Sequence, residues 1–312
     1  MADANKSTPA TFSQEAQIKP ANPFRAIFPL LAIVLCAVLA HVIFYGAFGN
    51  PKNFQGGPEA YTAYQECAKS GFSSAECEEM KEKHSAITPI WTKGHPIGFQ
   101  GLVFKGGFVI PIGLTLLMVL FTFVIERFIT VARAGGRGNS DVFVKKVRMM
   151  LAKGQVEDAA KLCDNHKGSV ASVIKAGLRK YSEMVQAHEL EKEQRKAAIQ
   201  QELEEATMLE LPMLERNLPI LATIASLGTL VGLIGTVLGM IRAFQALGEG
   251  GAPNAAELSV GISEALINTA IGITTSALAI LFYNLFTTRI DGMTYAMDEA
   301  GYSIVQTFDV RN

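Results

Sequence analysis

One acidic residue, Glu264, interrupts an otherwise uncharged run from Leu258 to Thr288. At about 100° per residue, Glu264, Asn268 and Thr275 fall on one helical face. Gly261 and Gly272 lie beside them, and Thr269, Ser276 and Tyr283 mark a second stripe. Earlier in the chain, Thr229 and Thr236 are aligned near a narrow stripe of Gly228, Gly232, Gly235 and Gly239. A carboxyl group among hydroxyl and amide groups in an apolar setting is suited to taking and releasing a proton. Its charged form costs about 2.5–3.5 kcal/mol at a bilayer centre, and a bound proton removes that cost. Each part also has a plainer reading. Threonine hydroxyls bond back to their own helices, and glycine stripes let helices pack closely in lipid. Glu264, close to Glu257 in sequence, could sit at the membrane surface with its carboxylate among the headgroups. Glu264 with Asn268 and Thr275 on its face favours a proton relay over the interfacial alternative, and Thr229 and Thr236 suit a polar lining.

Such a set needs a scaffold that holds it in lipid, and the composition supplies one. Hydrophobic residues make up 49% of the 312 positions and charged residues 18%, below the roughly 25% charged of soluble domains. Four apolar runs stand out: Phe24–Phe48, Gly106–Ile125, Leu218–Ile241 and Ala265–Thr288. Each approaches the roughly 20 residues that cross a bilayer core at about 1.5 Å per residue. The expected fold class is therefore an all-α membrane protein with four transmembrane helices and a helical cytoplasmic extension. The expected division is a tail over 1–22, helices over 23–48, 106–132, 218–247 and 258–290, and a C-terminal tail over 291–312. Between them lie a periplasmic segment over 49–105, a cytoplasmic helical domain over 133–217 and a periplasmic loop over 248–257. The first run lies behind a polar tail and exceeds the roughly 7–15 apolar residues of a signal peptide, so it reads as a retained anchor.

Lys and Arg in short loops mark the cytoplasmic side. Arg127, Arg133, Arg137, Lys145, Lys146 and Arg148 follow the second run, and the connection "ALGEGGAPNAAE" between the third and fourth has none. Both termini are accordingly expected inside. Cys67 and Cys77 fall in the outer segment, where an oxidising compartment permits a disulfide; two free thiols are the alternative. In the inner segment Glu191/Arg195 and Glu193/Lys196 have ion-pair spacing on a charged helix, with a solvated face as the preferred reading. Pro212 and Pro219 are expected to kink or restart that helix at the membrane surface. The net charge of −1 leaves no electrostatic footprint for nucleic acid. No His/Cys spacing marks a metal site, no glycine loop carries the Lys-Ser/Thr of a phosphate cradle, and no nucleophile is paired with a base. An enzyme and a cofactor are not expected.

The stretches "LVGLIGTVLGMIRAF" and "GISEALINTAIGITTSALAILFYN" resemble the two signature membrane helices of the MotA/TolQ/ExbB proton-channel family. The likeness is to its ExbB and TolQ members and is specific across Leu218–Ile290. It extends loosely to the cytoplasmic segment, giving a channel region over 140–295, and does not cover Met1–Lys105. Two departures are Gly228-Thr229, where the family usually has Ala-Pro, and Leu278, near a usual Pro. The resemblance implies a bacterial inner-membrane subunit forming a homo-oligomeric ring, five-membered, around an ExbD-like single-span partner with a membrane Asp. It implies Thr236, Glu264 and Thr269 along a proton path, and a TonB-like transducer as the recipient of the work. A Tol, flagellar-type or gliding load, or a passive scaffold without ion flux, are the alternatives.

Overall fold

A computed structural model describes residues 23–84, 89, 92, 95–248 and 255–311. The expected tail over 1–22 and most of the loop over 248–257 lie outside the described residues. Eleven α-helices are present among them: α1 Pro23–Ile43, α2 Gly57–Lys69, α3 Ala75–Lys83, α4 Gly98–Phe104, α5 Val109–Ala134, α6 Ser140–Lys153, α7 Val156–His166, α8 Ser169–Gln186, α9 Lys192–Glu215, α10 Leu218–Gly248 and α11 Ala255–Arg311. The described residues form no sheet; Phe54 and Pro96 make an isolated bridge. Four helical stretches, Ile27–Phe48, Val109–Ala134, Lys192–Leu247 and Glu257–Arg311, are long and apolar enough to cross a membrane.

Side-chain size decides which face of each span meets protein. Along α1 and the turn that continues it, Ala32, Cys36, Ala40 and Phe44 are buried, while Leu31, Val34, Leu35, Val38 and Val42 are exposed. The buried residues recur every fourth position, and three are small enough for close approach to α5, where Cys36 Sγ lies 3.4 Å from Thr122 Oγ1. The exposed face is suited to lipid.

The α2–α4 segment lies between α1 and α5 in sequence. Cys67 and Cys77 are joined by a disulfide, with Cα atoms 5.3 Å apart, tying α2 to α3. Phe44, Phe54, Val103, Phe104 and Ile110 form a small core where α1 ends and α5 begins. Its rings are Phe104 stacked on Phe44 at 4.9 Å and edge-on to Phe54 at 5.7 Å.

At the other end, α6–α9 build a helical bundle whose core includes Phe143, Val147, Leu151, Ile174, Leu178 and Ile199. Asn139 caps α6 by accepting from Asp141 N, and the Glu191/Gln194 capping box starts α9. The tail expected over 291–312 is instead helix as far as Arg311. α11 runs 57 residues, about 85 Å at 1.5 Å per residue, far beyond a roughly 30 Å hydrocarbon core. Its last turns bury Met297, Ala300, Ile304 and Phe308 against the α6–α9 bundle. Three cationic residues at the start of α9 are partnered by α11: Lys192 and Lys196 reach Asp309 at 3.5 and 3.4 Å, and Arg195 lies over the Phe308 ring.

The junction of α9 and α10 falls at Arg216–Asn217, where Asn217 has φ +65°, so α9 continues through Pro212 and the restart occurs just before Pro219. A buried polar bracket holds that junction against α5. Arg127, 1% exposed, donates from Nε and Nη2 to Glu126, each at 2.7 Å, and from Nη1 to Leu214 O at 3.1 Å. Asn217 Nδ2 donates to Glu126 Oε2 at 3.3 Å. A buried arginine must be matched on all sides, and here its partners include a carbonyl of the last α9 turn, left open by the helix end.

Candidate functional site

α10 and α11 form an antiparallel pair at backbone contact, and their glycines explain why. A Cβ on Gly239 would lie 2.7 Å from Ala265 N and 2.8 Å from Gly261 O. On Gly272 it would lie 2.5 Å from Gly228 O, and on Gly235 2.4 Å from Asn268 Cβ. Gly232 faces Gly272 and Asn268 in the same way. The four aligned glycines of α10 thus line the seam with α11, where no side chain fits.

Close approach brings side-chain hydroxyls together across that seam. The hydroxyls of Thr236 and Thr269 are in direct contact. One turn-pair further in, Thr229 Oγ1 donates to Ser276 Oγ at 2.9 Å. Thr236 also bonds to Gly232 O at 3.1 Å, and Thr269 to Ala265 O at 3.0 Å. Each hydroxyl has one proton to donate. The chain Gly232 O, Thr236, Thr269, Ala265 O therefore has two equivalent donor orders, running in opposite directions. That reversibility is what passing a proton along hydroxyls requires.

Glu264, Asn268 and Thr275 lie on the neighbouring edge of α11 and are all buried. Thr275 Oγ1 donates to Ile271 O, within its own helix. Asn268 Nδ2 donates 3.0 Å to Gly106 O, in the turn between α4 and α5. Glu264 is 1% exposed, and both of its carboxylate oxygens lie 2.7 Å from Nη1 of Arg242 on α10. The structure therefore matches the charge with a second charge, where sequence reasoning turned only to a proton. Among the described residues the hydrogen bonds of Glu264 are both to Arg242, and none runs to a threonine. Thr229 is exposed and Thr236 and Thr269 are half-buried. The six relay candidates thus divide into a hydroxyl seam open to the outside of the subunit and an enclosed acid edge.

Arg242 is the site residue that sequence reasoning missed. It stands just past the apolar run Leu218–Ile241, and its side chain is 50% exposed while that of Glu264 is 2% exposed. The signal was the register of the helix pair. Thr236 faces Thr269, and Thr229 faces Ser276, so seven residues back on α10 match seven forward on α11. The same register carried toward the α10–α11 connection puts Arg242 opposite Ser263, one residue from Glu264 and within reach of the long arginine side chain.

Fold and site together define a polytopic helical membrane protein with a charge pair and a hydroxyl seam between two long helices. Residues 165–299 match the MotA/TolQ/ExbB proton channel family. That segment includes α10 and most of α11 and excludes α1–α6. The chain is 43% identical to a biopolymer transport protein of ExbB-like type from Synechocystis sp. over 86 residues, 27% of this chain and 41% of that one. It is 33% identical to the Tol-Pal system protein TolQ of Pseudomonas aeruginosa over 120 residues, 38% of this chain and 52% of TolQ. It is 39% identical to the biopolymer transport protein ExbB of Aquifex aeolicus over 77 residues, 25% of this chain and 52% of that one. The chain spans about half, or less, of the length of these relatives.

Proposed function

We propose that this chain is an ExbB-like subunit of a bacterial inner-membrane motor, with both termini in the cytoplasm. Five copies form a ring around an ExbD-like single-span partner, and protons are the ion that flows. The work is passed to a TonB-like transducer and energises transport across the outer membrane. The observation that carries this reading is the buried Glu264 beside a reversible hydroxyl seam, inside the segment that matches the proton channel family. In it, Glu264 takes up a proton when its ion pair with Arg242 opens and gives it up when the pair re-forms, and Thr236, Thr269 and Thr229 carry the hydrogen-bonded path. Asn268 and Thr275 hold the acid edge. The open side of the seam, with Thr229 at its exposed end, suits a ring interior.

A Tol-type load is the second reading, favoured by the likeness to TolQ of Pseudomonas aeruginosa and of Haemophilus influenzae. Deleting the gene and restoring it as wild type or Glu264→Ala separates the cases. TonB-dependent uptake restored by the wild type and not by the variant, at equal membrane levels, is the expected result. Uptake restored by both rejects the role of Glu264. Uptake intact in the deletion, with a Tol envelope defect instead, moves the load to the Tol system.

A further inference from the structure

The turn between α4 and α5 lies directly against the Glu264 carboxylate. Gly107 has φ +76°, and a Cβ there would fall 2.1 Å from Glu264 Oε1 and 3.2 Å from Arg242 Nη1. The position excludes a side chain twice over, once through backbone conformation and once through the space the carboxylate occupies. Next to it, Gly106 O accepts the Asn268 Nδ2 hydrogen bond at 3.0 Å. The turn is anchored by Phe104 and Ile110 on its two sides, and both belong to the Phe44–Phe54 core. Ile267 and Ile271 of α11 pack on that same core. Glu264 is enclosed although its counter-ion is half exposed; the glycine turn covers the flank that Arg242 leaves. The turn and its aromatic anchors lie outside residues 165–299, whereas Glu264, Asn268 and Arg242 lie inside them.

We propose that the Gly106–Gly107 turn is a cap that seals Glu264 on its α4–α5 flank and positions its carboxylate on Arg242. The disulfide-tied segment before α5, through its aromatic core, holds that cap closed. Gly107 and Asn268 are positioning residues for the acid. Water and protons reach Glu264 from this flank only when the turn moves, which requires separating the Phe104 ring from Phe44 and Phe54. The cap then prevents a leak past the acid while leaving the hydroxyl seam unobstructed. Its significance for ion flow rests on the proposed function, but the seal itself is measurable without any flux.

The test is carboxyl modification of the full-length purified protein by a water-soluble carbodiimide and an amine, followed by peptide mass spectrometry. In the wild type, Glu264 is expected to react at least tenfold more slowly than Glu59, which is exposed. Gly107→Ala and Asn268→Ala are each expected to raise the Glu264 rate several-fold with the Glu59 rate unchanged. An unchanged Glu264 rate in the folded variants overturns the cap, as does a wild-type rate equal to that of Glu59. If Gly107→Ala does not accumulate, Asn268→Ala, which removes only the hydrogen bond to Gly106, decides alone. Loss of flux in a Glu264 variant bears on the proposed function and leaves this result untouched.

Discussion

At Glu264 two charges solve a problem that one creates. A carboxylate excluded from water is tolerated when it is paired, and removing its partner leaves the whole desolvation cost uncompensated. Arg242→Ala is therefore expected to lower stability by about 3 kcal/mol, the lower end for an orphaned buried charge, because the guanidinium is half exposed. Glu264→Gln should cost less, since a neutral amide strands no buried charge, and Arg242→Ala with Glu264→Gln should cost less than the two single losses combined. Unfolding in detergent measures all three, and strict additivity would contradict the pairing. Glu264 was legible in the sequence because a lone acid in an apolar run is conspicuous. Arg242 was not, because it lies beyond the run on another helix and its role depends on which residue it faces. Cys163 illustrates the opposite kind of residue, an ionisable group kept inert. It is buried, and burial, with the nearby Asp164 carboxylate, pushes its thiol up to about 12. Iodoacetamide at about pH 8 should leave it unmodified in the folded protein and alkylate it fully after denaturation; modification of the folded protein would show that α7 opens.

Between elements, the glycine seam sets the register that brings the hydroxyls together. Gly239→Leu places atoms where Ala265 N and Gly261 O already lie. It is expected to cost about 1–3 kcal/mol by overpacking and to pull the threonines apart. Cysteines at 236 and 269 should form a disulfide in the otherwise wild-type chain and fail to do so with Gly239→Leu; cross-linking in both would mean that the seam does not depend on the glycines. The four apolar runs announced their helices, since lipid demands length and apolarity together. The true end of α11 was hidden for the same reason. Past Ile290 its partner is protein, so Met293, Met297, Ala300, Ile304 and Phe308 recur at three- and four-residue steps among charges. That is the pattern of an amphipathic helix, which average hydropathy does not register. The Asn217 break was equally local: α9 passes through Pro212 and ends where the Arg127 bracket holds its last carbonyls.

Across the whole molecule, α11 joins the capped acid to the α6–α9 bundle. Glu264 meets the α4–α5 turn and Glu299 pairs with Arg148 of α6 at 2.8 Å, 35 residues apart and hence about 50 Å along one helix. The bundle carries its own titratable group. His166 is buried, stacked on Phe143 with centroids 4.0 Å apart, and its backbone O accepts from Arg137 N at 2.8 Å. Burial holds its imidazole below the usual value of 6.5. The unfolded chain therefore binds the proton first on acidification, so this stability is present above about 6.5 and is lost as pH falls toward the folded value. The melting temperature should be lower at about pH 5.5 than at about pH 7.5, and the difference should shrink in His166→Phe; an undiminished difference in the variant would assign it to other groups. The most direct measurement of all is proton flux into proteoliposomes holding this chain and the single-span partner proposed for it, driven by an imposed potential and read by an entrapped pH dye. The wild type is expected to conduct and Glu264→Gln, reconstituted at the same density, to fall to the rate of empty vesicles. Equal flux through both would contradict a proton path that depends on this acid.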